Sequence, residues 1–138
     1  MLRIINLNEI AILVATLVGA VLGVIWYSPI MFRKVLLDDL AKNNNDIRKF
    51  FLPFIISVFS MVILAIILDT FLFFSKLAGM DSFYAATIIG STISVGIIAL
   101  NMLSDYMISG THMKFFTVHA GYRIVMTILM AWTLSLWR

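Results

Sequence analysis

Residues 115–137 read FFTVHAGYRIVMTILMAWTLSLW, an apolar run that holds a single charged residue, Arg123. An α-helix needs about 20 predominantly apolar residues to cross the hydrocarbon core of a bilayer, so this run is long enough to span a membrane. A charged side chain near the centre of such a helix costs about 2.5–3.5 kcal/mol on insertion scales. Arg123 is therefore the residue of this span whose presence most needs a structural or functional reason.

Three further runs are long and apolar enough to cross a membrane. Residues 10–32 and 82–104 contain no charged side chain, and residues 50–75 contain only Asp69. The chain is 62% hydrophobic and 12% charged, with a mean hydropathy of +1.06, whereas soluble domains are about 45–50% apolar and about 25% charged. A soluble fold of 138 residues cannot bury this much apolar surface, so lipid must solvate it.

The predicted fold is a single all-α domain over residues 1–138, an integral membrane bundle of four transmembrane helices at about 9–28, 50–75, 82–105 and 114–137. Residues 33–41 mix charged and apolar side chains, which predicts a short amphipathic helix lying on the membrane surface between spans one and two. Short turns around Gly79 and Gly110 make successive spans antiparallel neighbours.

The basic residues lie unevenly on the two sides of this topology. One side carries Arg33, Lys34, Lys42, Arg48, Lys49 and Lys114, and the other carries Arg3, Lys76 and Arg138. Because Lys and Arg concentrate in cytoplasmic loops, loop 33–49 is predicted to be cytoplasmic and both termini to be outside. We expect a multi-pass protein of the inner (cytoplasmic) cell membrane, with membrane lipids rather than nucleic acid as partners of the basic residues.

Small residues recur at fourfold spacing in the spans. Span one carries Ala11, Ala15, Gly19 and Gly23, and span three carries Ala86, Gly90 and Ser94. Helices associate in lipid through close backbone approach and interhelical hydrogen bonds, so these stripes predict helix-packing faces. Gly19 and Gly23 also fit a seam between two copies of the chain, which leaves a homodimer or a higher homo-oligomer open as an alternative.

A polar constellation is predicted near the cytoplasmic ends of spans three and four. Helical side chains lean toward the N-terminus of their helix, so Arg123 can reach up toward Asp105. We expect an ion pair between Arg123 and Asp105. The hydrogen-bond network around this pair is predicted to include Asn101, His119, Tyr122 and Tyr27. Two interpretations stay open. One is functional, a binding site for an anion or a lipid headgroup or a proton path, and the other is a polar clamp that only fixes helix register.

Other residue patterns argue against metal and catalytic chemistry. There are no cysteines, and the two histidines, His112 and His119, match no metal-binding spacing. No nucleophile–base pair stands out, so the sequence predicts no metal, no cofactor and no enzymatic activity. Asp69, near the end of span two, is expected to lie at the membrane interface, where its carboxylate can meet water.

Two stretches of the chain resemble one known family. The first span contains Gly19-x-x-x-Gly23-x-x-Trp26-Tyr27-Ser28-Pro29-x-x-Phe32, and the tail contains Asp105-Tyr106, Lys114-x-Phe116-x-x-x-x-Ala120-Gly121-Tyr122-x-x-Val125 and Leu134-x-Leu136-Trp137. These strings resemble the bacterial membrane family catalogued as domain of unknown function 1761. The resemblance implies a multi-span membrane protein and supplies neither a substrate nor catalytic residues. It draws attention to Tyr27 and Ser28, which close span one at the depth of Asp105 and could form a polar cap over the bundle.

The leading hypothesis from the sequence is a non-enzymatic membrane protein that binds, or as an oligomer transports, a small anionic or lipidic ligand. The alternative is a structural or assembly protein whose polar residues only fix helix packing. An intramembrane enzyme is the least favoured of the three classes.

Overall fold

The computed structural model describes residues 7–34 and 48–138. Within them the chain forms four helices: α1 (Glu9–Trp26), α2 (Arg48–Leu77), α3 (Ser82–Ser109) and α4 (Met113–Ser135). All four are long and apolar enough to cross a membrane, α2 over Ile55–Leu77. No strand occurs in these two ranges, and the predicted all-α four-helix architecture is confirmed. Most of the predicted amphipathic helix at 33–41 lies outside the described residues.

Polar caps and glycines set the helix ends. The Asn8 side chain accepts a hydrogen bond from the Ala11 N–H at 3.2 Å and begins α1. The Asp81 carboxylate accepts from two backbone N–H groups of the first turn of α3, each at 3.1 Å. Gly110 follows α3 with φ of 65°, a left-handed conformation that glycine adopts without steric cost. These short connections hold successive helices side by side.

Helix α4 is the centre of the bundle, and it contacts all three other helices. Its buried side chains include Met126, Met130 and Leu134, which are fully shielded from solvent. From α2 the core receives Leu68 and Leu72. Unbranched methionine side chains adapt to irregular gaps, which suits a helix that must pack against three neighbours at once.

Small residues let the backbones of α1 and α3 approach α4 closely. A Cβ added at Gly19 would lie 3.1 Å from the Met130 sulfur, and one added at Gly90 would lie 3.1 Å from the Ala131 Cβ. Ser94 is fully buried as well. The face of α1 that fits a seam between two copies is therefore filled by α4 of the same chain.

Helix α3 contains a π-helical segment, Thr92–Ala99, between two α-helical parts. A π-helix bonds residue i to i+5, so its wider turns change which residues share a face before and after it. Ser94 is buried toward the bundle, whereas Asn101 and Asp105 are exposed. After the π-helical segment, Met102 and Tyr106 are therefore directed toward the bundle in place of Asn101 and Asp105.

Candidate functional site

Three aromatic side chains tie the C-terminal end of α1 to the N-terminal half of α4. The Trp26 Nε1–H donates to the Val118 carbonyl at 3.2 Å. The Tyr27 hydroxyl lies 2.5 Å from the Nδ1 atom of His119. The Tyr122 hydroxyl donates to the Gly19 carbonyl at 3.3 Å. Their rings also contact one another, with 5.5 Å between the centres of the Tyr27 and Tyr122 rings. The end of α1 is therefore held firmly against α4.

Glycine at position 23 makes this arrangement possible. A Cβ added at Gly23 would lie 2.8 Å from the Tyr122 hydroxyl oxygen, closer than real Cβ contacts come. Because glycine lacks that atom, the Tyr122 ring can lie across α1 and its hydroxyl can reach the Gly19 carbonyl. Gly23 and Tyr122 thus form one steric unit.

Arg123 lines a cleft between α1, α2 and α4 that borders this seam. The cleft has a volume of about 480 Å³. It is lined by Ala20, Val21, Gly23, Val24, Ile25, Tyr27, Ser57, Val58, Met61, Tyr122 and Arg123. We call it the Arg123 cleft. Its lining is mostly apolar, and Arg123 is the one charged residue among the described residues that line it.

A smaller polar chamber of about 320 Å³ adjoins the Arg123 cleft. It is lined by Tyr27, Ser57, Met102, Tyr106, His119, Tyr122 and Arg123. The two cavities share Tyr27, Ser57, Tyr122 and Arg123. The guanidinium therefore stands where a polar space meets an apolar groove.

Arg123 is partly buried, yet its guanidinium makes no hydrogen bond or ion pair with any of the residues that the structure describes. Among the described residues, the guanidinium interacts with the neighbouring Tyr122 ring, whose centre lies 6.0 Å from the guanidinium carbon. Arg123 follows His119 by one helical turn, about 6 Å along the axis. It shares the walls of both cavities with Tyr27, a residue type that concentrates at membrane interfaces.

The expected ion pair between Arg123 and Asp105 is wrong. Asp105 is exposed, and so is Asn101, the other α3 residue assigned to the network. The prediction assumed that the α-helical repeat runs unbroken from Ser94 to Asp105. The π-helical segment breaks that repeat, so the polar face of the last turns of α3 points away from Arg123.

The structure places the other predicted site residues as follows. Tyr27, His119, Tyr122 and Arg123 line the polar chamber together. Ser28 is partly buried just beyond α1 and lines neither cavity; its carbonyl accepts from the Met31 N–H at 3.1 Å. The ligand-binding role of the group stays a prediction.

Sequence reasoning left Ser57, Met102 and Tyr106 out of the site. Ser57 lies near the start of the second apolar run and was available as a signal, because the start of span two must lie at the depth where span one ends. Met102 and Tyr106 line the chamber because the π-helical segment changes which face of α3 is directed toward the bundle. No sequence pattern predicts that change.

At the opposite end of the bundle lies a buried ion pair that the sequence did not predict. Asp69 has no solvent exposure, which corrects its expected place at a wet interface. Its carboxylate accepts from Arg138 twice, from Nε at 2.9 Å and from Nη2 at 2.6 Å. The Asn8 N–H adds a third, longer bond of 3.4 Å, so α1 and α2 meet the end of the chain at one carboxylate.

The surroundings of Arg138 complete this second polar cluster. The Lys76 ammonium donates to the Arg138 carbonyl, and the Arg138 guanidinium carbon lies 5.3 Å from the centre of the Phe73 ring. A bidentate arginine–carboxylate pair is the strongest geometry for such a contact. Asp69 thus forms an ion pair with Arg138 and not with Arg123.

A bundle of four helices, each able to cross a bilayer, with polar groups clustered at both ends, defines a helical multi-pass membrane protein. A family model described as "Protein of unknown function (DUF1761)" matches residues 10–135, and the chain belongs to this family. Comparison with curated proteins and with solved structures gives no match. The resemblance drawn from the sequence is thereby confirmed for the family itself.

Proposed function

We propose that this protein is a non-enzymatic membrane protein that binds an anionic ligand at Arg123. The observation that carries the proposal is the partly buried guanidinium that faces a cleft without a hydrogen-bonding or ionic partner among the described residues. An intramembrane arginine is costly and normally pairs with another group, which makes such a residue a candidate functional site. An anion bound in the cleft would supply that missing partner.

Arg138 supports this interpretation by contrast. Both arginines belong to the last apolar segment and its end, and Arg138 is satisfied by a buried carboxylate within the chain. The protein therefore contains one arginine with a structural partner and one that faces a cavity. If Arg123 served only to pack the helices, we would expect it to be paired as Arg138 is, or to be replaced by an apolar residue, because an unpaired charge in a span is costly.

The chemistry of the cleft suits an oxyanion. A planar guanidinium binds carboxylate or phosphate through two parallel hydrogen bonds. The Ser57 hydroxyl lies on the walls of both cavities with Arg123 and can donate an additional bond. Cavities of about 300–1,000 Å³ with apolar walls and a few convergent polar groups are typical of small-molecule sites.

Thermal unfolding of the purified protein in detergent, with and without inorganic phosphate or acetate, tests the proposal. A ligand at 100 times its Kd stabilises a protein by about 2.7 kcal/mol, so the unfolding midpoint of the wild type should rise. Arg123→Gln should lose this rise, and Arg123→Lys should keep part of it. Arg33→Gln removes an exposed arginine just beyond α1 and serves as the matched control. An equal rise in Arg123→Gln would show that phosphate acts as a general stabilising salt.

A second candidate function is structural. The hydrogen bonds of Trp26, Tyr27 and Tyr122 favour it, because they already join α1 to α4 without any ligand. Under this alternative the polar residues fix the packing of an assembly protein. No anion would then stabilise the wild type more than Arg123→Gln.

We also propose that the Arg123 end of the bundle faces the cytoplasm in an inner membrane. Arg33, Lys34 and Lys114 are exposed at that end, and the described part of the opposite end carries Lys76 and the paired Arg138. The excess of basic residues supports a cytoplasmic location of the Arg123 end.

A further inference from the structure

We infer that the ligand of Arg123 is an anionic lipid of the surrounding membrane, with its carboxylate or phosphate on the guanidinium and its chain in the groove between α1 and α2. This inference rests on the proposed anion-binding function and names the class of ligand. It follows from the shape and the charge distribution of the Arg123 cleft.

The apolar part of the Arg123 cleft opens toward lipid. On the α1 side it is walled by Val21 and Val24, which are 56% and 73% exposed on the isolated chain, and on the α2 side by Val58 and Met61. Its described lining residues extend along α1 from Ala20 to Tyr27 and along α2 from Ser57 to Met61, and they include Arg123 of α4. A lipid chain can therefore enter sideways from the bilayer while its head stays level with the guanidinium.

The polar chamber beside the cleft is suited to the head. It is lined by the Ser57 hydroxyl and by Arg123, beside the bonded pair of Tyr27 and His119. A lipid tail would gain nothing there, whereas carboxylate or phosphate oxygens would meet the guanidinium and the Ser57 hydroxyl. Head and tail thus correspond to two neighbouring cavities that share Arg123 in their walls.

A second groove on the same bundle shows why the charge matters. Between α2 and α3 lies a cavity of about 530 Å³, and none of its described lining residues is charged: Leu64, Ile67, Phe71, Ile88, Ile89, Thr92, Ile93, Ile97 and Ile98. Lipid tails are as apolar as leucine, so moving a chain from bilayer to either groove gains little by itself. Arg123 is what distinguishes the first groove from the second.

Photo-crosslinking tests the inference. The probe is a sixteen-carbon fatty acid with a diazirine midway along its chain, presented in bilayer nanodiscs, with adducts mapped by peptide mass spectrometry. Adducts on the segments of Val21, Val24 and Val58 should exceed those on the second groove about tenfold or more, as expected for one charge-assisted contact. The corresponding fatty alcohol, which has no charge, should label both grooves to a similar extent.

Two pairs of variants make the result specific. Arg123→Gln should abolish the preference of the fatty acid, and Arg123→Lys should retain part of it. Val24→Trp fills the groove and should suppress labelling of α2 at Val58, whereas Leu17→Trp, at another exposed apolar position of α1 outside the cleft, should not. Neither tryptophan removes a core contact, so both proteins should fold.

The outcomes separate this inference from the proposed function. If phosphate or acetate stabilises the protein through Arg123 but the fatty acid labels both grooves equally, the lipid inference is wrong and the anion-binding function stands. If neither the small anions nor the fatty acid depends on Arg123, both proposals are wrong. Concentrated labelling that survives in Arg123→Gln would also overturn the inference, since the head would then be held elsewhere.

Discussion

Two arginine residues associated with α4 differ in what surrounds their charge. The Arg138 guanidinium is bound by a fully buried carboxylate, and the Arg123 guanidinium has no acidic partner among residues 7–34 and 48–138. A buried ion pair contributes little net stability by itself, but removing one partner strands the other charge. Substitution at the two positions should therefore have different consequences, although the residue type is the same.

Substitution of Asp69 by leucine should destabilise the protein by about 3–5 kcal/mol, because the Arg138 charge would lose its buried partner. The double change Asp69→Leu and Arg138→Leu should recover most of that loss. Unfolding by denaturing detergent measures both values. Asp81→Leu, at an exposed carboxylate, is the control and should cost no more than about 2 kcal/mol through loss of its helix cap. A double variant as unstable as Asp69→Leu would argue against the ion pair.

At Gly23 the contact with Tyr122 predicts a steric effect that a second change relieves. Gly23→Ala would place a Cβ 2.8 Å from the Tyr122 hydroxyl and should cost about 1–3 kcal/mol. In a Tyr122→Phe background that oxygen is absent, and the nearest ring carbons would lie 3.4 and 3.6 Å away, so the same change should cost much less. Gly96→Ala, which meets no atom within 4 Å, is the matched control. Equal costs in both backgrounds would contradict the contact.

Among the elements, the seam between α1 and α4 is held by polar as well as apolar contacts. Tyr27→Phe removes the hydroxyl that bonds His119 and should cost about 0.5–1.5 kcal/mol. In a double-mutant cycle with His119→Phe, the two changes should couple by at least about 0.5 kcal/mol. Tyr84→Phe, on an exposed part of α3, should be neutral. Strict additivity of the Tyr27 and His119 changes would exclude the bond.

The elements also explain what the sequence could and could not predict. Apolar runs identify the four helices, because lipid leaves a spanning chain few alternatives to a helix. The small-residue stripes, with Gly19 and Gly23 in span one and Gly90 in span three, identify helix faces that the structure places against α4. The sequence also predicted that Tyr27, His119, Tyr122 and Arg123 lie near one another, and all four line the polar chamber. This was predictable because the depth of each residue follows from the helix rise and from the level at which its span begins or ends.

Two predicted positions, those of Asp105 and Asp69, are wrong. The first assumed an unbroken α-helical repeat, and the second considered one span without its neighbours. Asp105 was expected beside Arg123 because an unbroken α-helix would place it there, and the π-helical segment of α3 moves it away. Asp69 was assigned to the interface from its position near the end of span two alone. Its partner, Arg138, lies beyond the apolar run of the parallel helix α4, and only the packing of α2 against α4 brings the two together.

For the whole molecule, the proposed orientation predicts which side of the membrane each end of the bundle occupies. The chain has no cysteine, so single cysteines can report sidedness without a background. A cysteine at Arg33 or at Gly110 should be blocked by a membrane-permeant maleimide only, and a cysteine at Gly79 should react with an impermeant maleimide in intact cells. All three positions are exposed. Labelling of Arg33→Cys from outside would reverse the orientation and place the Arg123 cleft near the external side.

The two ends of the bundle have different proposed roles: the Arg138 end is a structural clamp, and the Arg123 end binds an anion. Unfolding of Arg138→Gln and Arg123→Gln, measured side by side in detergent with and without phosphate, tests that contrast most directly. We expect Arg138→Gln to unfold more readily than the wild type in both conditions and to keep its response to phosphate. We expect Arg123→Gln to match the wild type without phosphate and to lose the response. If Arg123→Gln is instead as unstable as Arg138→Gln, or responds to phosphate as the wild type does, Arg123 is not the binding residue of this protein.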